Sequence, residues 1–572
     1  MTGPASTLLA GLLLAVSYFD AHNHFTGILP YQAYADLPAY IAAFSDPKRS
    51  VGVADRLKLY HYLAGWYDAT GSKLDDRLFS PADGQRFAFG ARAALFIDRA
   101  RVAGSVAALD GTIERVLTAT PWTEFDSAYA FRGGPASLYL RDQFYGGSDD
   151  RLGGDLCKAT VLELAATHID SSEQSLPFIG GWKFSEGKSY PLDTIECVMH
   201  ARDDPSIRSA LAAMKKPMPA IEIVLMTHTA QLGMLSHESQ YREWSKTGAC
   251  APTALPASLA TAPKTIYDAL MGWDAGKAVV ASTDAVRYFD DVVGIDTAAP
   301  ETTCFTDEGM AYYEELAGAV YRASKDRRLA GWRGKLLVHT HVGEGAIVDY
   351  APAPPARPWL FGNAFASLPA SWTNAAQAEA NITMLLAAIR HFQREHPDAN
   401  RYVIFRLAHA TWATPEQAQE MHDAGVEADV NLESNVATGA YPVSRMPLGS
   451  TLLVNRILPL AQNWATNFEL NDLLGTLVSD PSDPSQAGAV LGNAALKYLL
   501  EAHVRCLLGT DADGVEHSDI VREYQYAGAL IAYWKRTDPV FRARLGNAET
   551  SVLFDNVRKH LADMASGEVV AY

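Results

Sequence analysis

Two hydrophobic rhythms alternate along the chain. Short apolar runs that stop at a polar residue predict buried strands, and longer stretches with apolar residues at helical spacing predict helices. Residues 18–24, 176–181, 219–227, 292–296, 335–338, 402–407, 426–432 and 504–508 read as strands. Residues 155–169, 277–290, 308–323, 374–396, 414–424 and 519–536 read as helices, with further helix beyond about 538. Thr414, with Glu416 and Gln417 behind it, marks a capped helix start. Strand and helix in alternation mean parallel pairing, and the expected architecture is a (β/α)8 TIM barrel.

Three stretches break the rhythm, at about 30–120, 345–375 and 440–500. In the first, residues 36–44, 53–69 and 87–116 look helical. The second is rich in proline and aromatic residues, including Pro352, Pro354, Pro355, Pro358, Trp359 and Phe361. All three are expected to be insertions over the C-terminal face of one barrel domain spanning 1–572. Barrels with insertions can exceed about 400 residues, so this length does not require a second domain.

Composition narrows the class. Apolar residues make up 48% and charged residues 20%, which suits a globular chain with a large core. A formal net charge of -18 repels phosphate backbones and argues against nucleic-acid partners. The five cysteines show no paired spacing, against both a disulfide framework and a cysteine-based zinc site. The thirteen-residue apolar run at 7–19 is too short to span a bilayer. It lacks the preceding Lys or Arg of a secretion signal and leads directly into the first strand. A cytoplasmic protein without membrane partners is expected, with export as the alternative.

The chemistry gathers at strand ends. The stretch 339–345 reads His-Thr-His-Val-Gly-Glu-Gly, and its glycines end a strand at His341, with Glu344 in the loop. His22 and His24 are two apart, so they face one side of a strand. His409 and Asp511 follow two later strands. In a barrel such tips converge on one face. Three imidazoles and a carboxylate there suit a divalent ion, most simply Zn²⁺, with a further position open to water. Such an ion lowers the pKa of that water toward neutrality. Glu344 is then placed to move a proton to the substrate, and His409 to orient or deprotonate the water. Taken singly, each histidine also reads as a strand-end side chain bonded to backbone.

The combination carries a resemblance. His22-Asn23-His24 with Gly27, His341-Val342-Gly343-Glu344, Leu407-Ala408-His409, Ser434-Asn435 with Thr438-Gly439, and Thr510-Asp511 occur in this order. The series resembles the adenosine deaminase family of the metal-dependent amidohydrolase superfamily. The resemblance implies His22, His24, His341 and Asp511 as zinc ligands. It implies Glu344 as the donor of a proton to a ring nitrogen and His409 as the group positioning the hydroxide. A carbonyl product and ammonia would result. Thr26 stands where the family has an acidic residue before Gly27, and Ala299 is the nearest match to a ring-contacting glycine. Ala512 separates Asp511 from Asp513, where the family has two adjacent aspartates. These departures bear on the substrate more than on the metal. Two other functions stay open: an amidohydrolase cleaving an amide or ester, and a ligand-binding or growth-factor-like protein without useful turnover.

Overall fold

The computed structural model describes residues 18–25, 28, 150–167, 169–179, 190–228, 259–274, 276–298, 305–344, 374–437, 494–511, 518–546 and 550–566. The apolar run at 7–19 and the three insertions lie wholly or mostly outside the described residues, as do Thr26, Gly27, Ala299 and Asp513.

Eight parallel strands form one sheet: β1 Tyr18–His24, β2 Ile169–Ile179, β3 Ala220–His228, β4 Val292–Ala298, β5 Leu336–Val342, β6 Val403–His409, β7 Glu427–Val430 and β8 Cys506–Leu508. They are ordered as they occur in the chain. Just past β8, Asp511 closes the sheet onto β1. It pairs in parallel with Asn23, donating from its N–H to the His22 carbonyl at 2.7 Å and accepting from the His24 N–H at 2.7 Å. The eight-stranded sheet is therefore a barrel, as the alternating pattern predicts.

The strands are buried on both faces, which is why they read as near-continuous apolar runs. All seven residues of β5 and of β6 are buried. Outward-facing Leu336, Val338, Phe405 and Leu407 belong to one core with Leu316 and Val320 of the helix Asp307–Leu329 and Ile382, Leu386 and Ile389 of the helix Asn374–Glu395. Each such side chain stabilises by about 1.5–3 kcal/mol on burial. Helix starts follow the sequence signals. Thr414 accepts from Gln417 N–H while the Gln417 side chain accepts from Thr414 N–H, a complete capping box. Gly294 is required by packing, because a Cβ there would lie 2.2 Å from the Leu337 carbonyl oxygen of the neighbouring strand.

The structure departs from the sequence reading at several places. β2 begins at Ile169, not 176, because its first half is the polar run Asp-Ser-Ser-Glu-Gln-Ser whose side chains find buried polar partners. Residues 277–290 hold a short antiparallel ribbon and then the helix Ala285–Asp291, not one helix. Glu433, Ser434 and Asn435 lie in the short helix Leu432–Ala437, not at a strand tip. Cys157, buried in the helix Asp150–Ala166, is disulfide-bonded, against the expectation from spacing. Pairing is decided by proximity in space. Among the described residues no helix is long and apolar enough to cross a membrane.

Candidate metal centre

Interior positions at the C-terminal end of the barrel carry the polar residues, and β1 sets the geometry. Its pairing with β2 slips between Asp20 and Asn23, just where the chain turns His22 and His24 toward the mouth. Asp20 ties this segment to the end of β8. Its carboxylate accepts from the His22 N–H at 3.2 Å, the Asn23 amide at 2.9 Å, the Thr510 N–H at 3.0 Å and the Thr510 hydroxyl at 2.5 Å. Burial nonetheless pushes the Asp20 carboxyl up to about 7, against those hydrogen bonds. Gly509 permits the close approach, since a Cβ there would sit 2.6 Å from the His22 Cβ.

The four side chains singled out as ligands from distant parts of the chain come together. His22 Nε2 lies 3.3 Å from His24 Nε2 and 3.6 Å from Asp511 Oδ1, and His24 Nε2 lies 3.2 Å from Asp511 Oδ1. The His341 ring centroid is 4.4 Å from that of His22 and 5.1 Å from that of His24. Ligands about 2.0–2.1 Å from a tetrahedral ion are about 3.3 Å apart, so these edges have the right size for zinc. His409 Nε2 sits 3.4 Å from His341 Nδ1, and its ring centroid is 5.0 Å from that of His22. Glu344, in the loop after β5, reaches to 3.9 Å from His409 Nε2 and is more exposed than the rest.

The surrounding hydrogen bonds decide which atoms face the centre. His22 Nδ1 is 2.8 Å from Asp429 Oδ1. The carboxylate can only accept, so Nδ1 carries the proton and Nε2 presents a lone pair. Burial holds the His22 pKa well below the usual imidazole range, so the ring is neutral. Its Nε2 lone pair then faces the Asp511 carboxylate. His24 Nε2 lies 3.3 Å from His22 Nε2 and 3.2 Å from Asp511 Oδ1, so three metal-binding atoms face one point. This donor set therefore fits a divalent ion, both in its distances and in its chemistry.

Several residues that hold the centre escaped the sequence reading. Asp429 also meets His339 Nε2 at 2.6 Å, and His339 Nδ1 meets Asp296 Oδ1 at 3.1 Å. Asp296 Oδ2 in turn meets His341 Nε2 at 3.3 Å. An Asp–His–Asp bridge thus links the rings of His22 and His341 beneath the mouth. Burial opposes both carboxylates, but His341 and His339 hold Asp296 well below the usual range, and His339 and His22 do the same for Asp429. Burial also opposes the His339 charge, but the two aspartates push that imidazole up to about 9. Ser434 donates to Asp511 Oδ2 at 2.7 Å, and Asn435 Oδ1 meets His409 Nδ1 at 2.9 Å. A signal was present: Glu427, Asp429 and Asn431 alternate with Val426, Ala428 and Val430, which marks a polar face on a fully buried strand.

Backbone strain marks the same place. Five residues other than glycine have positive φ among the described residues, and three of them are His409 (61°), Ala410 (43°) and Asp511 (63°). Such conformations cost on the order of 1–3 kcal/mol each and persist where packing and function impose them. The roles of Thr26, Gly27, Ala299 and Asp513 lie outside the described residues.

No protein-family model matches the sequence, and no curated protein matches it. Solved structures do. Atrazine chlorohydrolase from Arthrobacter aurescens complexed with zinc is 12% identical, with a TM-score of 0.34, over 78% of this chain and 66% of that one. An amidohydrolase from Burkholderia ambifaria with bound zinc is 11% identical, with a TM-score of 0.30, over 96% and 93%. Adenine deaminase from Arthrobacter aurescens is 12% identical, with a TM-score of 0.29, over 96% and 99%. The chain spans less than two thirds of the length of the triazine hydrolase structures it matches, 64% in one case.

Proposed function

We propose that this chain is a metal-dependent hydrolase with one divalent ion, zinc, held by His22, His24, His341 and Asp511. The observation that carries this reading is the triangle of His22 Nε2, His24 Nε2 and Asp511 Oδ1, with edges of 3.2–3.6 Å. Zinc bound there supplies Lewis acidity and lowers the pKa of a coordinated water.

The remaining roles belong to the chain. His409, locked by Asn435 at Nδ1, turns Nε2 toward the centre, where it orients and deprotonates the attacking water. Glu344, at 3.9 Å from that nitrogen and at the open side of the site, delivers a proton to the substrate. The substrate class is an aminated heterocycle of purine type, free or as a nucleoside. Water adds to the ring carbon bearing the amino group, the adjacent ring nitrogen takes a proton from Glu344, and the amine departs as ammonia to leave a carbonyl. Thr26, Gly27, Ala299 and Asp513 are the proposed substrate contacts. The acidic surface suits a small-molecule substrate over nucleic acid, and no membrane partner is proposed.

Metal analysis followed by ammonia release from adenosine, AMP, adenine and guanine tests the reading. Bound zinc with ammonia from at least one of them is expected. Acid release from amides or esters without ammonia would assign the same centre to a different hydrolysis. A folded chain that binds no divalent ion would leave only a ligand-binding role.

A further inference from the structure

Below the metal centre the barrel holds a second set of buried charges. Arg406 of β6 points inward and is fully buried. Its guanidinium reaches Glu173 of β2 through both nitrogens and Glu427 of β7 at 3.4 Å. The final helix, Ser551–Ser566, covers this floor. It places His560 between the two carboxylates, with Nε2 2.8 Å from Glu173 and Nδ1 2.9 Å from Glu427. The same helix puts Met564 against Val224, Val293, Leu337 and Ile404, and Val557 against Phe19, Ala21 and Leu507.

One bond leads out of this floor. Arg406 Nη1 donates to the Ala21 carbonyl at 3.0 Å. β6 and β1 are not neighbours in the sheet, so the side chain crosses the barrel interior to reach it. Ala21 immediately precedes His22, within the segment where β1 slips its register against β2. Without that donor, a carbonyl in the irregular segment loses its side-chain partner inside the barrel, and one of the bonds that fix the turn before His22 is gone.

We infer that Arg406 is a positioning residue for the metal ligand His22, and that the final helix, through His560, holds Arg406 in place and so forms part of the metal centre from the opposite end of the barrel. This inference rests on the metal-centre reading. It treats the floor as a closed salt-bridge network, since the Arg406 guanidinium beside His560 disfavours a second cation.

The test is zinc affinity, measured by competition with a chelator on folded, metal-stripped protein. Arg406→Lys keeps the charge among the carboxylates but loses the fork that spans Glu173 and Ala21. His560→Ala removes the strut. Both are expected to weaken zinc binding about tenfold or more while circular dichroism stays native. The neutral pair Arg406→Met with Glu173→Gln gives a third arm that leaves neither partner charged alone, with the same expected loss. Wild-type zinc affinity in the folded variants overturns the inference and leaves the metal centre standing. No zinc bound by the wild-type chain overturns the metal reading and this inference with it.

Discussion

The mouth and the floor of this barrel are both built from buried charges, yet they are built differently. On the floor each ring nitrogen of His560 meets its own carboxylate, and Arg505 bridges Glu427 at 2.6 Å and Asp563 at 2.9 Å. The cations Arg406, Arg505 and His560 are held by the carboxylates among them, although Arg406 Nη2 also lies 2.9 Å from His560 Nε2. At the mouth His22 Nε2, His24 Nε2 and Asp511 Oδ1 face one another at 3.2–3.6 Å, while the outer atoms of His22 and Asp511 meet Asp429 and Ser434. Two of the mouth residues, His409 and Asp511, also hold left-handed backbone. A cluster of opposite charges stabilises a fold; three metal-binding atoms aimed at one point suit a cation. Histidines and acids occur in both, so their presence alone does not separate the two kinds of site.

The sharpest way to break that contrast is at the mouth. Asp511→Ala removes one inward acceptor and is expected to abolish zinc occupancy, read by elemental analysis, with the fold retained. Full occupancy would show that Asp511 is not a ligand. Glu344→Gln is expected to keep the metal and lose about 10²–10⁴ in turnover; near-normal rates would refute its role as proton donor. Asp429→Asn acts one layer out. It removes the charge that orients His22 and His339 together, and is expected to weaken zinc binding about 10–100-fold, measured by titration of stripped protein.

The floor should respond through stability. The His560 imidazole is pushed from 6.5 up to about 9, against its burial, by Glu427 and Glu173. A raised folded pKa means stability that is full below 6.5 and is lost as pH climbs through about 9. The unfolding free energy of the stripped protein is thus expected to fall as pH climbs between those limits, by an amount on the order of 1–3 kcal/mol, read as a lower midpoint of thermal unfolding. Replacing His560 by Gln should reduce that slope and leave the part due to His339, which is raised to about the same value. An unchanged slope in the variant would place its origin elsewhere.

Much of the architecture was legible in local pattern. The run before His341, the His-x-His of β1 and the capping box at Thr414 each carry their own signal within a few residues. The convergence of His22, His24, His341 and Asp511 followed because barrel strands bring their ends to one face. What stayed hidden depends on long-range pairing. Arg406 looks like an interruption in an apolar strand until Glu173, 233 residues away, and His560, 154 residues away, are seen beside it. Asp429 and Asn431 did carry a local signal, the alternation of polar residues through 427–431, but their partners His22 and His339 are far away in the chain. The polar start of β2 concealed a strand because its side chains are buried by partners that local sequence does not name. Ser434 and Asn435 were read at the right place but in the wrong element, since a six-residue helix leaves little periodicity to detect.

The most direct single measurement is anomalous diffraction at the zinc edge from crystals of the full chain grown with zinc. A peak bounded by His22, His24, His341 and Asp511 is the expected result. A peak on the floor among Glu173, Glu222 and His560, whose ligand atoms lie within 4.8 Å of one another, or no peak at the mouth, would contradict the assignment of the two regions.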